Sequence, residues 1–199
     1  MIVFLPRVGD FIATGDPLFQ VHGARGRIDE GGGVGIGGGE GAFLTALAKR
    51  FPGPKLTVFD LPSVAERAAS RFAAAGLGAR AQAIGGDFFR DPLPAGHDAV
   101  TLVRVVHDHD DDKVQQLFLR IRAMLPPGGR LIIAEPMSGA RDSARVADVY
   151  FAFYLLAMGS GRPRTFKTLA RMLRAAGFSG VAPIATARPM LVSIAISNT

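Results

Sequence analysis

Residues 31–43 read GGGVGIGGGEGAF, and the fold turns on whether this run is a linker or the first turn of a ligand-binding sheet. Glycine allows φ > 0 and lets a ligand approach the backbone closely. The run leads into GAFLTALAKRF (residues 41–51), where Phe43, Leu44, Leu47 and Ala48 recur at helical spacing. A glycine loop that opens a helix presents free N–H groups at the positive end of the helix dipole. The residues of the loop alone leave the linker reading open.

Outward from the loop the pattern is regular. PGP at 52–54 stops the first helix, and KLTVFD at 55–60 is a short buried strand ending in an acid. Residues 63–76 are Ala-rich and helical, with Gly76 and Gly78 as stops. Residues 79–84 and 98–106 read as strands, the second strongly β-branched, and a weak helix near 88–97 would fit between them. A helix over 110–125 ends at PPGG, and RLIIAE at 130–135 is another buried strand. Residues 145–158 and 165–176 are helical, and 180–187 with 191–197 suit a closing antiparallel pair. The predicted order is β-α-β-α-β-β-α-β-α-α-β-β. Its first strand falls on GGGVG, where few side chains mark it.

Strands alternating with helices imply an α/β fold with a doubly wound, mostly parallel, seven-stranded sheet. Ligands of such sheets sit outside the carboxyl ends of the strands, at the switch in strand order. The residues at those ends are the glycine cluster, Asp60, Asp87, His107 and Glu135. Unusual polar groups at one edge in every loop point to an enzyme or a cofactor binder.

Two cofactor classes use such a glycine loop. Gly33-Val-Gly-Ile-Gly-Gly38 formally fits the nicotinamide dinucleotide pattern, and Gly37-Gly-Gly39-Glu-Gly41 fits the loop that holds the methionine part of S-adenosylmethionine. Asp60 suits the ribose of either. GDFF at 86–89 discriminates: Asp87 is a carboxylate for an exocyclic amine, and Phe88 a ring for the adenine face. An NAD-dependent dehydrogenase has no special need of that pair.

VVHDHDDD (105–112) follows the strongest strand. Asp110 suits an N-cap, and Asp111 and Asp112 suit a first helical turn. His107 and His109, two apart, would face one way on a strand, but no third metal ligand is evident, so no metal is assigned. His107 at one strand end and Glu135 at the next read as a general base with an acid to orient it, or as a satisfied structural pair. The helix YFAFYLLAM at 150–158 reads either as core or as the wall of a channel for an apolar acceptor.

Composition narrows the classes. The chain has 199 residues, a formal charge of +6 and no cysteine. Disulfides and thiolate chemistry are excluded. The basic residues are spread along the chain, so nucleic acid is not an expected partner. No apolar run reaches the ~20 residues of a membrane span, and the opening MIVFLPRVGDF is unlike a signal peptide. A cytoplasmic protein is expected, with peripheral membrane contact as its route to an apolar substrate.

LTVFDLPSVAERA, GDFFRDPLP, LVRVVHDHDDDKV, LPPGGRLIIAEPM, GRPRT and RMLRAAGF together resemble the class I S-adenosylmethionine-dependent O-methyltransferases of the plant caffeate/flavonoid and bacterial polyketide type. The resemblance runs from about residue 36 to the end. HDHDDD, AEPM and YFAFYLLAMG-GRPRT are most similar to the hydroxyneurosporene-methylating branch of bacterial carotenoid synthesis. The resemblance implies a Rossmann-like methyltransferase fold, S-adenosyl-L-methionine as cofactor and a small hydroxylated acceptor, a carotenoid in that branch. It implies His107 and Glu135 as catalytic, and Gly37, Gly39, Gly41, Asp60, Leu61, Asp87, Phe88 and Arg104 as cofactor-binding. It also implies a catalytic domain over 31–199, with residues 1–30 a remnant or linker.

The chain departs from the family pattern in three places. Gly35 stands where an acid usually precedes the loop, which predicts a looser loop. Pro163 stands where plant members carry a second acid, which predicts that His107 lacks a second carboxylate. The chain is also too short for the helical dimerisation domain through which family members form homodimers. An inactive cofactor-binding remnant is the reading these departures would favour.

Overall fold

The computed structural model describes residues 2–4, 19–21, 31–139, 149–184 and 192–197. Ile2–Phe4 (β1) and Phe19–Val21 (β2) pair antiparallel. The rest of the expected remnant or linker lies outside the described residues, as do 145–148 of one expected helix and 185–187 and 191 of the closing strands.

The glycine run contains a strand, Gly32–Ile36 (β3). It runs parallel between Lys55–Asp60 (β4) and Ala99–Val103 (β6). Sequence periodicity is silent there because alternation is read from side chains, which glycine lacks. Backbone pairing on both sides supplies what glycine's own weak strand preference does not.

Helices Ala42–Arg50 (α1), Pro62–Ala74 (α2), Asp111–Met124 (α3), Phe151–Met158 (α4) and Phe166–Ala175 (α5) connect strands Ala81–Gly85 (β5), Arg130–Glu135 (β7), Ser179–Ile184 (β8) and Val192–Ser197 (β9). The seven-stranded sheet has the order β5-β4-β3-β6-β7-β9-β8. Its first five strands are parallel, and β9 is antiparallel to both β7 and β8. The chain leaves β3 in one direction through β4 and β5, then returns to β6 on the other side. The switch in strand order therefore lies between β3 and β6, whose carboxyl ends lead into the glycine loop and into His107.

Two cores form on the two sheet faces. Leu44, Ala48, Leu56, Val58, Ala68 and Phe72 join α1 and α2 to one face. Val34, Ile36, Val100, Leu102, Leu131 and Ile133 meet α3 and α5 on the other. Helix α3 buries Val114, Leu117, Phe118 and Ile121, the i, i+3, i+4, i+7 stripe of an amphipathic helix.

Three expectations need correction. No helix forms over 88–97: Phe88 to Arg90 make a turn and the chain then runs without regular structure. The strand expected over 98–106 stops at Val103, because Arg104 takes φ +57 and breaks the extended run. YFAFYLLAM is not core. In α4 only Phe151 and Leu155 are buried, while Phe153, Leu156 and Met158 are exposed at 69%, 76% and 58%. No helix among the described residues is long and apolar enough to cross a membrane.

Candidate active site

The loop after β3 turns at Gly37, Gly39 and Gly41, all at positive φ (62, 57 and 76°). That conformation is strained for other residues. It is fastened rather than loose. The Gly37 N–H donates to the Phe59 carbonyl at 2.9 Å, and the Gly41 N–H donates to the Gly38 carbonyl at 3.2 Å. Asp60, at the end of β4, accepts from the Gly39 N–H through Oδ2 and from the Leu61 N–H through Oδ1, each at 2.8 Å. Glu40 at the loop tip accepts from Arg67 Nε (3.0 Å) and Arg71 Nη2 (3.2 Å) on α2. Hydrogen bonds from Arg71 and Arg67 hold the Glu40 carboxyl below the usual range. The looseness expected from Gly35 is thus opposed by contacts further along the loop.

The loop has a floor and an open side. A Cβ at Gly37 would lie 2.8 Å from Val105 and 3.6 Å from Phe88, whereas nothing lies within 4 Å of a Cβ at Gly39. Leu61 is 54% exposed beside Asp60. Asp87 accepts from the Phe89 N–H at 2.8 Å and meets Arg90 Nε at 3.6 Å. Phe88 and Phe89 pack at a tilt of 57° with centroids 4.7 Å apart, and the His109 ring stands edge-on to both, at 5.6 and 4.9 Å. Burial among these rings lowers the His109 pKa, although Asp108 and Glu135 act to raise it.

His107 lies in a short 3-10 turn, Val106–Asp108. The turn separates the two histidines expected to face one way on a strand. His109 meets Phe88 and Phe89, whereas His107 meets Glu135 and the edge of Phe151, 5.4 Å away. His107 and Glu135 are both buried. Glu135 Oε1 accepts from the N–H groups of Val105 (2.8 Å) and Val106 (2.7 Å), and Oε2 is hydrogen-bonded to His107 Nδ1. An ionised Glu135 can only accept, so against it a neutral His107 ring carries its proton on Nδ1 and its lone pair on Nε2.

A second carboxylate does stand by the ring, contrary to the expectation from Pro163. Asp108 Oδ1 is 3.3 Å from His107 Nε2. That approach lacks hydrogen-bond geometry, so Asp108 Oδ1 is a buried acceptor without a donor.

Arg104 is exposed, and its guanidinium lies 5.7 Å over the Phe151 ring. Its positive φ is the only such value at a described residue other than glycine, and it falls between the strand and the His107 turn. Strained backbone of this kind concentrates at functional sites. Asp110 occupies the N-cap position of α3, but its carboxylate accepts from the Gly161 N–H (3.1 Å) and not from its own helix. Asp111 pairs with Arg162 and Arg164. Sequence reasoning missed Arg164 as a site residue. Its buried guanidinium reaches the Val106 and His109 carbonyls beside His107.

Among the described residues no group of three or more His, Cys, Asp or Glu is arranged to hold a metal ion. The glycine cradle, Asp60 and the His107–Glu135 pair therefore share the carboxyl edge of the sheet at its switch point, with Val105 joining them. Val105 packs at Gly37 and donates to Glu135.

The O-methyltransferase domain family matches residues 31–179. The chain belongs to this family. It is 47% identical over 158 residues to demethylspheroidene O-methyltransferase of Cereibacter sphaeroides, and 46% identical over 159 residues to that of Rhodobacter capsulatus. These alignments take in 79% and 80% of this chain but 42% and 39% of the relatives, so the chain spans about two fifths of their length. Among solved structures it resembles human N-acetylserotonin methyltransferase in complex with SAM (TM-score 0.75, 29% identity, 86% of this chain and 48% of that one). It also resembles NcsB1 of neocarzinostatin biosynthesis in complex with SAM and 2-hydroxy-5-methyl naphthoic acid (TM-score 0.74, 29% identity, 86% and 50%). Family membership removes the dehydrogenase reading of the glycine loop.

Proposed function

We propose that residues 31–199 form the catalytic domain of an S-adenosylmethionine-dependent O-methyltransferase whose acceptor is a hydroxylated carotenoid of the demethylspheroidene type. The observation that carries the reading is the buried His107–Glu135 pair, set beside a glycine cradle at the sheet's switch point. The cradle fits the cofactor: Gly39 faces open space, its walls are Val105 and Phe88, and carboxylates stand at Asp60 and Asp87. In this reading Gly37, Gly39 and Gly41 hold the methionine part, Asp60 with Leu61 the ribose, and Asp87 with Phe88 the adenine. When bound, the cofactor supplies a methyl carbon already activated by its sulfonium, which leaves the protein mainly the task of positioning.

With the cofactor bound, His107 Nε2 would accept the acceptor's hydroxyl proton while the methyl carbon exchanged its bond to sulfur for one to that oxygen, with S-adenosylhomocysteine as the leaving group. For an aliphatic alcohol, far less acidic than a phenol, proton removal accompanies bond formation. Glu135 keeps Nδ1 protonated and aims Nε2. The proton gained at Nε2 then lies beside Asp108 Oδ1, the acceptor that has no donor in the resting site. An apolar acceptor is supported by α4, which sets Phe151 against His107 and shows Phe153, Leu156 and Met158 outward. The same face supports the reading that the protein works at a membrane surface.

Calorimetry with S-adenosylmethionine, S-adenosylhomocysteine and NAD tests the cofactor, with binding of the two sulfur compounds alone expected. The His107→Ala variant is expected to bind the cofactor and lose about 100- to 10,000-fold in turnover of demethylspheroidene. Turnover at the wild-type rate would reject the base. Binding by the wild-type chain without turnover would make it a cofactor-binding remnant.

A further inference from the structure

The turn that carries His107 is held by two buried charged groups of opposite sign, and the second has no role in the proposed chemistry. Glu135 takes the turn's N–H groups, those of Val105 and Val106, together with the ring. Arg164 takes its carbonyls. Nη1 donates to the Val106 carbonyl at 2.9 Å, and Nη2 to the His109 carbonyl at 2.6 Å. These acceptors flank His107 and Asp108 on either side. The side chain of Arg164 is only 2% exposed, so the donors work in a low-dielectric setting where an unmade bond is costly.

The rest of the 161–164 segment lies on the same turn. The Arg162 N–H donates to the His107 carbonyl at 2.9 Å. The guanidinium is itself aimed by Asp111 at the start of α3, through Nε at 2.8 Å. A planar fork anchored at Nε and reaching two carbonyls with Nη1 and Nη2 fixes the turn in a way a lysine's single ammonium does not. The acceptors lie 58 and 55 residues away in sequence, so the clamp exists only in the folded chain.

We infer that Arg164 is the positioning residue of the base: it fixes the carbonyl side of the His107 turn, so that Glu135 meets Nδ1 and Nε2 points at the acceptor oxygen. The inference rests on the reading of His107 as general base. Misplacement of a catalytic group by about 1 Å costs on the order of 100-fold in rate. Loss of the fork therefore reaches kcat through His107, while the glycine loop keeps its own fastenings to Phe59 and Asp60 and meets the turn only through Val105.

The test compares full-length wild type, Arg164→Lys and Asp111→Asn, each first shown to be folded by circular dichroism. The readouts are the dissociation constant for S-adenosylmethionine, kcat and KM with demethylspheroidene, and the nitrogen-detected NMR signature of the His107 ring. For Arg164→Lys we expect a dissociation constant and KM within about threefold of wild type, a kcat lower by about 10- to 100-fold, and a shifted Nδ1 proton. Asp111→Asn, which keeps Arg164 but weakens its anchor, should move the same two quantities by less. If Arg164→Lys does not fold, the Asp111→Asn result decides alone. Wild-type kcat and an unmoved ring signal, with only a lower melting temperature, would overturn the inference. If His107→Ala retains full turnover, the base reading fails instead, while the ring signal still reports whether Arg164 positions His107.

Discussion

Gly161 and His107 touch in a way that leaves no room for a β-carbon: an ideal Cβ at 161 would lie 2.2 Å from the His107 carbonyl oxygen. Gly161 also sits at φ +81, where any other residue is strained by about 1–2 kcal/mol. Its N–H is held by Asp110. The obstacle is backbone and not the end of a flexible side chain, so relief requires the His107 turn to move. The Gly161→Ala variant should fold with a melting temperature lower by a few degrees and should lose at least tenfold in kcat. Kinetics at saturating cofactor check this. A normal kcat would mean that the turn moves without consequence for Nε2.

The glycine loop is braced from outside by Glu40 with Arg67 and Arg71. All three side chains are well exposed, so the brace is weak singly and sensitive to salt. Glu40→Gln should raise the dissociation constant for S-adenosylmethionine a few-fold at low salt. The gap from wild type should close as the salt is raised to about 0.5 M, where the Debye length is only a few Å. Calorimetry at two salt concentrations measures it. A gap that does not depend on salt would show that Glu40 acts by some means other than this brace.

Much of this site was legible in the sequence because strand ends are legible. Asp60, Glu135 and the glycine cluster each close an apolar run, and a doubly wound sheet sends those ends to one edge. What stayed hidden depends on pairing across the fold. The strand Gly32–Ile36 is defined by two neighbours and not by its own side chains. Asp110 has the type and place of an N-cap, yet its carboxylate serves Gly161, 51 residues away. Arg164 acts on backbone carbonyls, which leave no residue-type signature for any motif to catch.

Asp111 gives the clamp a pH dependence. Its burial acts to raise the pKa, but the hydrogen bonds and charges of Arg164 and Arg162 outweigh this, so it lies below the usual aspartate value. A group whose folded pKa is depressed stabilises the fold fully above its unfolded pKa, about 3.9. That contribution is lost as pH falls through the folded value. Asp111→Asn should therefore be less stable than wild type at pH 7, with a difference that persists to about pH 5 and shrinks below pH 4. Urea denaturation at several pH values checks this. A constant difference down to pH 3 would remove the ion pair from the account.

The two ends of the central glycine strand should answer the same substitution in opposite ways. At Gly35 a Cβ meets Leu44 and Thr101 Oγ1 at 3.4 Å, which is ordinary contact. At Gly32 it meets His97 Nδ1 at 2.9 Å and the Gly96 carbonyl at 3.3 Å. His97 is buried, so it has little room to give way. Replacing a glycine by alanine where the backbone already suits it stabilises by about 0.4–1 kcal/mol, chiefly by restricting the unfolded chain. Gly35→Ala should gain that amount. Gly32→Ala should lose about 1–3 kcal/mol, the usual cost of overpacking. Equal effects of one sign in urea denaturation would show that the strand's stability is set by its backbone pairing and not by the space around each glycine.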